Sequence, residues 1–495
     1  MSQILVKNLE FAYDGSYDNV FENVSFTLDT DWKLGFCGRN GRGKTTFLKL
    51  LMGKFEYFGE IRASVDFEYF PFDIADEAAD TLAIIYEISP DAEFWQICRE
   101  LAKLDVDDDV LYRPFLTLSN GERTKVMLAA LFVRENSVLL IDEPTNHLDM
   151  EARALVARYL NGKSGFIVVS HDRVFLDSCV DHILSINRAN IEIQSGNFSS
   201  WFNNKELQDR YELERNSELK KEIGRLSAAA KRTEAWSGEA ENRKIGFDPR
   251  ATEKSKGMRA YQGEKSRKMM ARSKAIVERR QHEIEEKSKL MKNLEKSDSL
   301  KLSPLRYHSE LLLFLDNVSL GYGGREVCGN ISFELRRGDR VSLRGPNGCG
   351  KSSILKLILG EKIEYSGLLS IGSGLKLSYV QQDASKLTGE LRDYAEEQGI
   401  DESLFKAILR KLDFQRVQFE KDMSDFSAGQ KKKVLLARSL CEQAHLYIWD
   451  EPLNYIDVLS RMQIEELITE YRPTLLFVEH DRAFCDNIAT KIVEM

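Results

Sequence analysis

Nothing in this sequence is apolar over a length that could cross a bilayer. Runs such as Leu311 to Leu315 are far short of the ~20 residues a spanning helix needs. The opening MSQILVKNLEF has no apolar stretch long enough for the core of a signal peptide, so a cytosolic chain with no membrane partner is expected. The 7 cysteines (Cys37, Cys98, Cys179, Cys328, Cys349, Cys441, Cys485) include no CxxC pair, which leaves no signal for a zinc ribbon or an iron-sulfur cluster. They read as reduced, buried thiols. A net charge of -9 excludes a surface that coats nucleic acid uniformly. With 42% hydrophobic and 30% charged residues, no part is forced into disorder by composition.

A length of 495 residues suggests about three domains. An internal repeat supplies two of them. GRNGRGKT at Gly38 to Thr45 recurs as GPNGCGKS at Gly345 to Ser352, an offset of 307 (345 minus 38). LSNGE at Leu118 recurs as FSAGQ at Phe426, and LLIDEPTNHLD recurs as YIWDEPLNYID, with Asp142 matching Asp450, both offset by 308. SHDR around His171 recurs as EHDR around His480, offset by 309. A string of motifs repeated in the same order at constant spacing marks a duplicated module.

Each copy alternates apolar strands with helices, including a strand before the glycine-rich loop (Leu34 to Cys37; Val341 to Leu343) and another ending in Asp-Glu. That alternation predicts a parallel α/β core. The domains expected are 1–201, a linker over 202–309, and 310–495. Within the linker, Lys205 to Leu226 and Met269 to Leu294 are charged and poor in Gly and Pro. Leu219, Ile223, Leu226 and Ile284, Met291, Leu294 fall at helical spacing, predicting two amphipathic helices paired on a narrow seam. Ser237 to Gly263 holds Pro249 and four glycines, which break helix and mark the tip of an antiparallel hairpin.

The pattern GxxxxGK[ST] sets a glycine-rich turn at a helix N-terminus, where backbone N–H groups and the helix dipole receive phosphate oxygens. Gly38, Asn40, Gly41, Gly43 and Thr46 belong to this turn in the first copy, and Gly345, Asn347, Gly348, Gly350 and Ser353 in the second. Lys44 and Lys351 are expected at the β- and γ-phosphates of ATP, and Thr45 and Ser352 at Mg²⁺. Asp142 and Asp450 end apolar strands, where a carboxylate reaches Mg²⁺ through water. Glu143 and Glu451 follow as candidates to polarise the attacking water. His171 and His480 follow short apolar strands and are candidates for the γ-phosphate.

These motifs resemble the ATP-binding-cassette family along both copies. In that family the LSNGE and FSAGQ segment contacts the ATP held by the opposite cassette. The resemblance therefore implies two composite sites. Site one joins Lys44, Asp142, Glu143 and His171 to Ser427 and Gly429; site two joins Lys351, Asp450, Glu451 and His480 to Ser119 and Gly121. It also places Tyr13 and Tyr322 against adenine and Asp149 and Asp457 in the loop between cassettes. The family's metal-sensing glutamine is Gln382 in YVQQD, but Phe72 in YFPFD. Asn120 and Ala428 replace the middle glycine of the signature, and Glu479 replaces the serine before the second histidine. Unequal sites are the expectation.

Residues 231–280 carry 15 Lys and Arg against 7 Asp and Glu, a net of +8 on a chain of net -9. A basic projection on an acidic body suits RNA. Lys244, Phe247, Arg250, Met258, Arg259 and Tyr261 interleave cations with groups able to stack on bases. The other reading of the same charges is a solvated hairpin kept soluble by them.

Two cassettes, a helical linker and no membrane segment together resemble the ABC-F subfamily. GNFSSW at Gly196 to Trp201 is similar to its crossing segment. The spacings from Phe72 to Ser119 and from Gln382 to Ser427 nearly match, so no arm is inserted in the first cassette. DTDWKLGFCGRNGRGKTT, RPFLTLSNGE and IWDEPLNYIDV resemble the Lsa-type ribosomal protection proteins. The resemblance implies a cytoplasmic ATPase bound at the E site of the 70S ribosome, its linker toward the P-site tRNA and the 23S rRNA of the peptidyl-transferase centre. It also implies protection against lincosamides, pleuromutilins and streptogramin A, and a monomer whose cassettes pair within the chain. The alternatives are a housekeeping translation or assembly ATPase and, less compatible with the linker, the nucleotide-binding part of an exporter.

Overall fold

The computed structural model describes residues 2–13, 19–134, 137–146, 148–186, 191–245, 267–268, 271, 274–279, 300–323 and 325–495. The side chains at 230, 233–245 and 325 are outside the description. The chain forms two compact units. One comprises Met1–Trp201 with Ser297–Met495, and the other Phe202–Lys296.

In the first unit each repeat builds one mainly parallel sheet and one small antiparallel sheet. The first repeat orders its large sheet as Asp66–Phe70, Ser137–Asp142, Phe166–Val169, Lys33–Gly38, His182–Ile186 and Ile191–Ser195, the last strand antiparallel. The second repeats the order with Leu377–Val380, Leu446–Asp450, Leu475–Val478, Arg340–Arg344 and Lys491–Glu494. Strands such as Val138–Ile141 and Phe166–Val169 are wholly apolar and buried, as a parallel strand covered on both faces requires. The antiparallel sheets, with Gln3–Phe11 between Phe21–Asp29 and Phe58–Arg62, and Leu311–Tyr322 between Arg325–Arg336 and Glu364–Ile371, were not expected from the sequence.

The cores lie on both faces of these sheets. Phe36, Phe47, Leu140 and Ile167 fill the first repeat; Leu343, Leu355, Ile448 and Leu476 occupy the matching place in the second. On the other face of the second sheet Tyr447, Trp449 and Phe477 pack with Phe405 and Leu436 from helices Glu402–Lys411 and Ala428–Cys441. Trp449 is fully buried and its indole N–H donates to Ser439 Oγ at 3.0 Å, so truncation to Ala would cost about 3–5 kcal/mol. Leu300 and Leu302 join this core and Tyr307 the other. The second cassette therefore begins to pack before the boundary at 310 read from the sequence.

The second unit contains most of a single helix, Phe198–Ile245, of 48 residues, about 70 Å long at 1.5 Å per residue. It runs well past the expected end at Leu226. Leu219, Ile223 and Leu226 are half-buried on it while their flanking charged residues are exposed, the pattern of a narrow apolar seam. Lys244 is in this helix, its side chain outside the described residues; Phe247, Arg250, Met258, Arg259 and Tyr261 lie outside them entirely.

Candidate nucleotide sites

The strand order gathers the motifs at one edge of each sheet. Phe36 is paired with Val169, and Val169 with Asp142, so the phosphate loop, the Asp-Glu pair and His171 leave the sheet side by side, at the carboxyl ends of parallel strands. Each loop enters its helix through a left-handed glycine, Gly43 (φ 90°) before Lys44–Leu51 and Gly350 (φ 99°) before Lys351–Ile358. A side chain is disfavoured there, and a Cβ on Gly43 would sit 2.5 Å from Val20.

Within the loops Lys44 Nζ donates to the carbonyls of Gly38 (2.7 Å) and Arg39 (3.2 Å), and Lys351 Nζ to those of Gly345 and Pro346, both at 2.8 Å. Both ammoniums are folded back onto their own loops. Gly41 and Gly348, also left-handed, have nothing within 4 Å of a Cβ position. Thr45 and Tyr69 hydroxyls donate to Asp142 Oδ2 at 2.8 and 2.9 Å, and Ser352 hydrogen-bonds Asp450. Tyr13 and Thr46 hydroxyls are 2.6 Å apart, and the Tyr322 hydroxyl donates to Ser353 Oγ at 3.3 Å. Each tyrosine is about half exposed, 46% and 48%, which leaves an aromatic face open beside the helix start.

Glu143 and Glu451 share a left-handed backbone, φ 52° and 47°, fixed by N–H bonds to Val169 (2.9 Å) and Val478 (3.0 Å) carbonyls. Strain of this kind at matching positions is a mark of function. The two carboxyls nevertheless differ. Burial and then the neighbouring Asp142 push Glu143 up to about 8. Burial alone would raise Glu451 too, but His480, Gln382 and Lys432 overcome it and hold the carboxyl at about 2. His171 Nε2 is 3.2 Å from Glu143 Oε1 and 3.0 Å from Asn40 Oδ1, and burial, then Lys44, keeps the ring neutral. His480 Nε2 is 3.5 Å from Glu451 Oε1, without hydrogen-bond geometry.

Site one is assembled from both cassettes. Asn40 Nδ2 donates to the Tyr455 carbonyl at 2.7 Å. A Cβ on Gly429 would be 2.6 Å from that carbonyl and 3.3 Å from Asn40 Nδ2, so only glycine allows this approach. Arg39 and Arg42 reach Asp413 at 3.7 and 3.4 Å, and Arg173 pairs with Glu465. Asp457 is buried, accepting from Lys433 Nζ at 2.9 Å and from Ser460 N at 3.0 Å, and its charge is felt by Lys44. Asp149, its counterpart, is half-buried and caps Ala152 at 2.9 Å. Ser119 and Ser427 cap the signature helices through reciprocal bonds with Glu122 and Gln430, and both stay exposed. Gly121 has only Leu148 within reach of a Cβ, at 3.7 Å.

A family model described as "ABC transporter" matches residues 21–146 and 328–454. The chain belongs to this family. It is an ATPase built of two ATP-binding cassettes, and its resemblance to the ABC-F proteins extends over nearly its whole length. It is 27% identical over 96% of its residues to the ribosome protection protein VmlR of Bacillus subtilis, covering 84% of that protein. It is 26% identical over 96% of its residues to the energy-dependent translational throttle protein EttA of Escherichia coli K12, covering 89% of it. Among solved structures, the archaeal ribosome recycling factor aABCE1, in complex with the ribosomal stalk protein aP1, aligns over 98% of this chain and 87% of its own, with a TM-score of 0.64 and 18% identity. That likeness bears on the fold, two tandem cassettes.

As an ABC ATPase the chain has donor sets that fit its ligand. Asp450 Oδ1, Glu143 Oε1 and His480 Nε2 are buried without hydrogen-bond partners, all beside a phosphate loop, where a nucleotide's phosphates and a hard cation would satisfy them. Among the described residues no cluster of three or more His, Cys, Asp and Glu stands apart as a metal site, and no helix is long and apolar enough to cross a membrane. The difference between the sites is visible at the glutamine position, where Gln382 hydrogen-bonds Glu451 and Phe72 has no such capacity. Sequence reasoning missed Tyr69, Tyr455, Asp413 and the roles of Arg39 and Arg42. Only the two arginines inside GRNGRGKT offered a signal, since neither charge is needed to form the turn.

Proposed function

We propose that this ATPase is a cytoplasmic, ribosome-associated ABC-F protein that binds the E site and protects the peptidyl-transferase centre from lincosamides, pleuromutilins and streptogramin A. The observation that carries this reading is the full-length similarity to VmlR, with two complete cassettes on either side of a linker whose charge opposes that of the chain. ATP enters each phosphate loop, and Lys44 and Lys351 turn from their own carbonyls to the β- and γ-phosphates. Thr45 and Asp142 in the first site, and Ser352, Asp450 and Gln382 in the second, would hold Mg²⁺, which would offset phosphate charge there. Glu143 and Glu451 orient the attacking water, with His171 and His480 toward the γ-phosphate. Ser427 and Gly429 complete site one, Ser119 and Gly121 site two. Closure of the cassettes fits the linker tip beside P-site tRNA and 23S rRNA, and hydrolysis releases the protein.

The similarity to EttA favours a second reading, a housekeeping translation factor with the same ATP cycle and no resistance role. Expression in a susceptible Gram-positive host separates them. Raised inhibitory concentrations of lincosamide and pleuromutilin support protection; unchanged values at good expression support the housekeeping role.

A further inference from the structure

The second cassette contains two charges that the first lacks. Lys432, in FSAGQKKK, stands where the first copy has Thr124, and Glu479 stands where it has Ser170. Both are almost wholly buried, 2% and 4% exposed. A buried charge is retained only where it is paired and hydrogen-bonded, and these two are.

Lys432 Nζ donates to three main-chain carbonyls, those of Gln381 (2.8 Å), Gln382 (3.1 Å) and Asp450 (3.2 Å). Three donors are all an ammonium has. They join the segment that carries Gln382 to the strand end that carries Asp450, so the backbone of the two residues expected at the metal is held by one buried cation. Glu479 does the same for the neighbouring pieces, accepting from Leu453 N at 2.7 Å and from His480 N at 2.9 Å. In the first copy Ser170 Oγ is 3.1 Å from Thr145 Oγ1 and accepts from Asp172 N at 3.2 Å. The short Thr124 side chain has no reach comparable to that of a lysine, and Phe72 is in the glutamine position. Lys432, Glu479 and Gln382 occur together, and Thr124, Ser170 and Phe72 occur together.

We propose that Lys432 and Glu479 are positioning residues that preassemble the metal side of site two, so that Mg²⁺ engages there at lower concentration than at site one. The backbone that carries the metal-facing side chains is thereby fixed before nucleotide arrives. Outer partners of this kind set metal affinity by about 10–100-fold. The proposal rests on site two turning over ATP.

The test uses the full chain with two double variants that remove both charges together, Lys432→Thr with Glu479→Ser and Lys432→Met with Glu479→Gln. Turnover in a Glu143→Gln background reports site two, and turnover in a Glu451→Gln background reports site one. The expected result is a rise of about tenfold or more in half-saturating Mg²⁺ at site two alone. Affinity for a non-hydrolysable ATP analogue in EDTA stays within about twofold, and amide exchange over 380–383 quickens in nucleotide-free protein. Unchanged Mg²⁺ dependence and unchanged exchange in folded variants overturn the proposal, as does an equal shift at both sites. If neither variant folds, the wild type decides: the amides of 380, 382 and 383 must exchange more slowly than those of 70, 72 and 73, and equal rates overturn it. Absence of turnover in the Glu143→Gln background would instead overturn hydrolysis at site two, and the exchange rates would still decide the positioning.

Discussion

Asn40 and Tyr455 are 415 residues apart in sequence and joined at 2.7 Å. The same Asn40 side chain meets His171 at 3.0 Å. One amide therefore connects the phosphate loop of site one, its histidine and the opposite cassette. Any movement that separates the cassettes breaks this bond.

Gly429 is the point of tightest approach in that contact. A methyl group 2.6 Å from the Tyr455 carbonyl must push the cassettes apart, and overpacking of this kind costs about 1–3 kcal/mol. Gly429→Ala should lower ATP turnover about tenfold or more and reduce thermal stability without nucleotide. Gly121→Ala, whose nearest neighbour is a side chain at 3.7 Å, should change the nucleotide-free stability little. Melting curves and steady-state turnover of the two variants check this, and equal effects would contradict the asymmetric contact.

The Arg39, Arg42 and Asp413 cluster is mostly buried, with Asp413 9% exposed. The second copy has Pro346 and Cys349 in place of the two arginines, so the equivalent loop lacks both of these charges. Removing one member of a buried ionic cluster is destabilising. Asp413→Ala should destabilise the chain by about 2 kcal/mol, and a double-mutant cycle with Arg39→Ala should recover about 1 kcal/mol as coupling. Chemical denaturation of the four proteins measures it.

Glu100 anchors the helix Phe94–Lys103 through Lys163 (2.5 Å), Lys103 (2.8 Å) and Tyr159 (2.8 Å). Burial alone would raise its pKa, but these bonds hold it at about 2, below the ordinary 4.5 of a glutamate. A depressed carboxylate contributes stability above its unfolded pKa and loses it as pH falls through the folded one. The contribution should fade between about pH 4.5 and pH 2, and Glu100→Gln should flatten acid unfolding in that window while costing about 2 kcal/mol at pH 7.

The sequence made the local chemistry legible. Loops and strand ends are set by neighbours a few residues away, so the turn at Gly43 and Lys44 and the strand end at Asp142 could be read directly. Pairings over long separations could not. Leu5 pairs with Arg62 in the first antiparallel sheet, and the half-exposed strands there lack the continuous apolar runs that revealed the parallel ones. Asp413 and Tyr455 belong to site one only because two copies meet face to face, a relation that no spacing within either copy encodes. The difference between Phe72 and Gln382 was visible as a departure. Its companion Lys432 was hidden in a run of three lysines that reads as a solvated helix face.

The central claim, two composite ATP sites that govern residence on the ribosome, is tested by one experiment. Glu143→Gln with Glu451→Gln removes both groups that orient water and keeps both nucleotide sites. The account predicts that this double variant sediments with 70S ribosomes in ATP and not in its absence, while the wild type is released as it hydrolyses. A double variant that binds ATP and never sediments with ribosomes contradicts it.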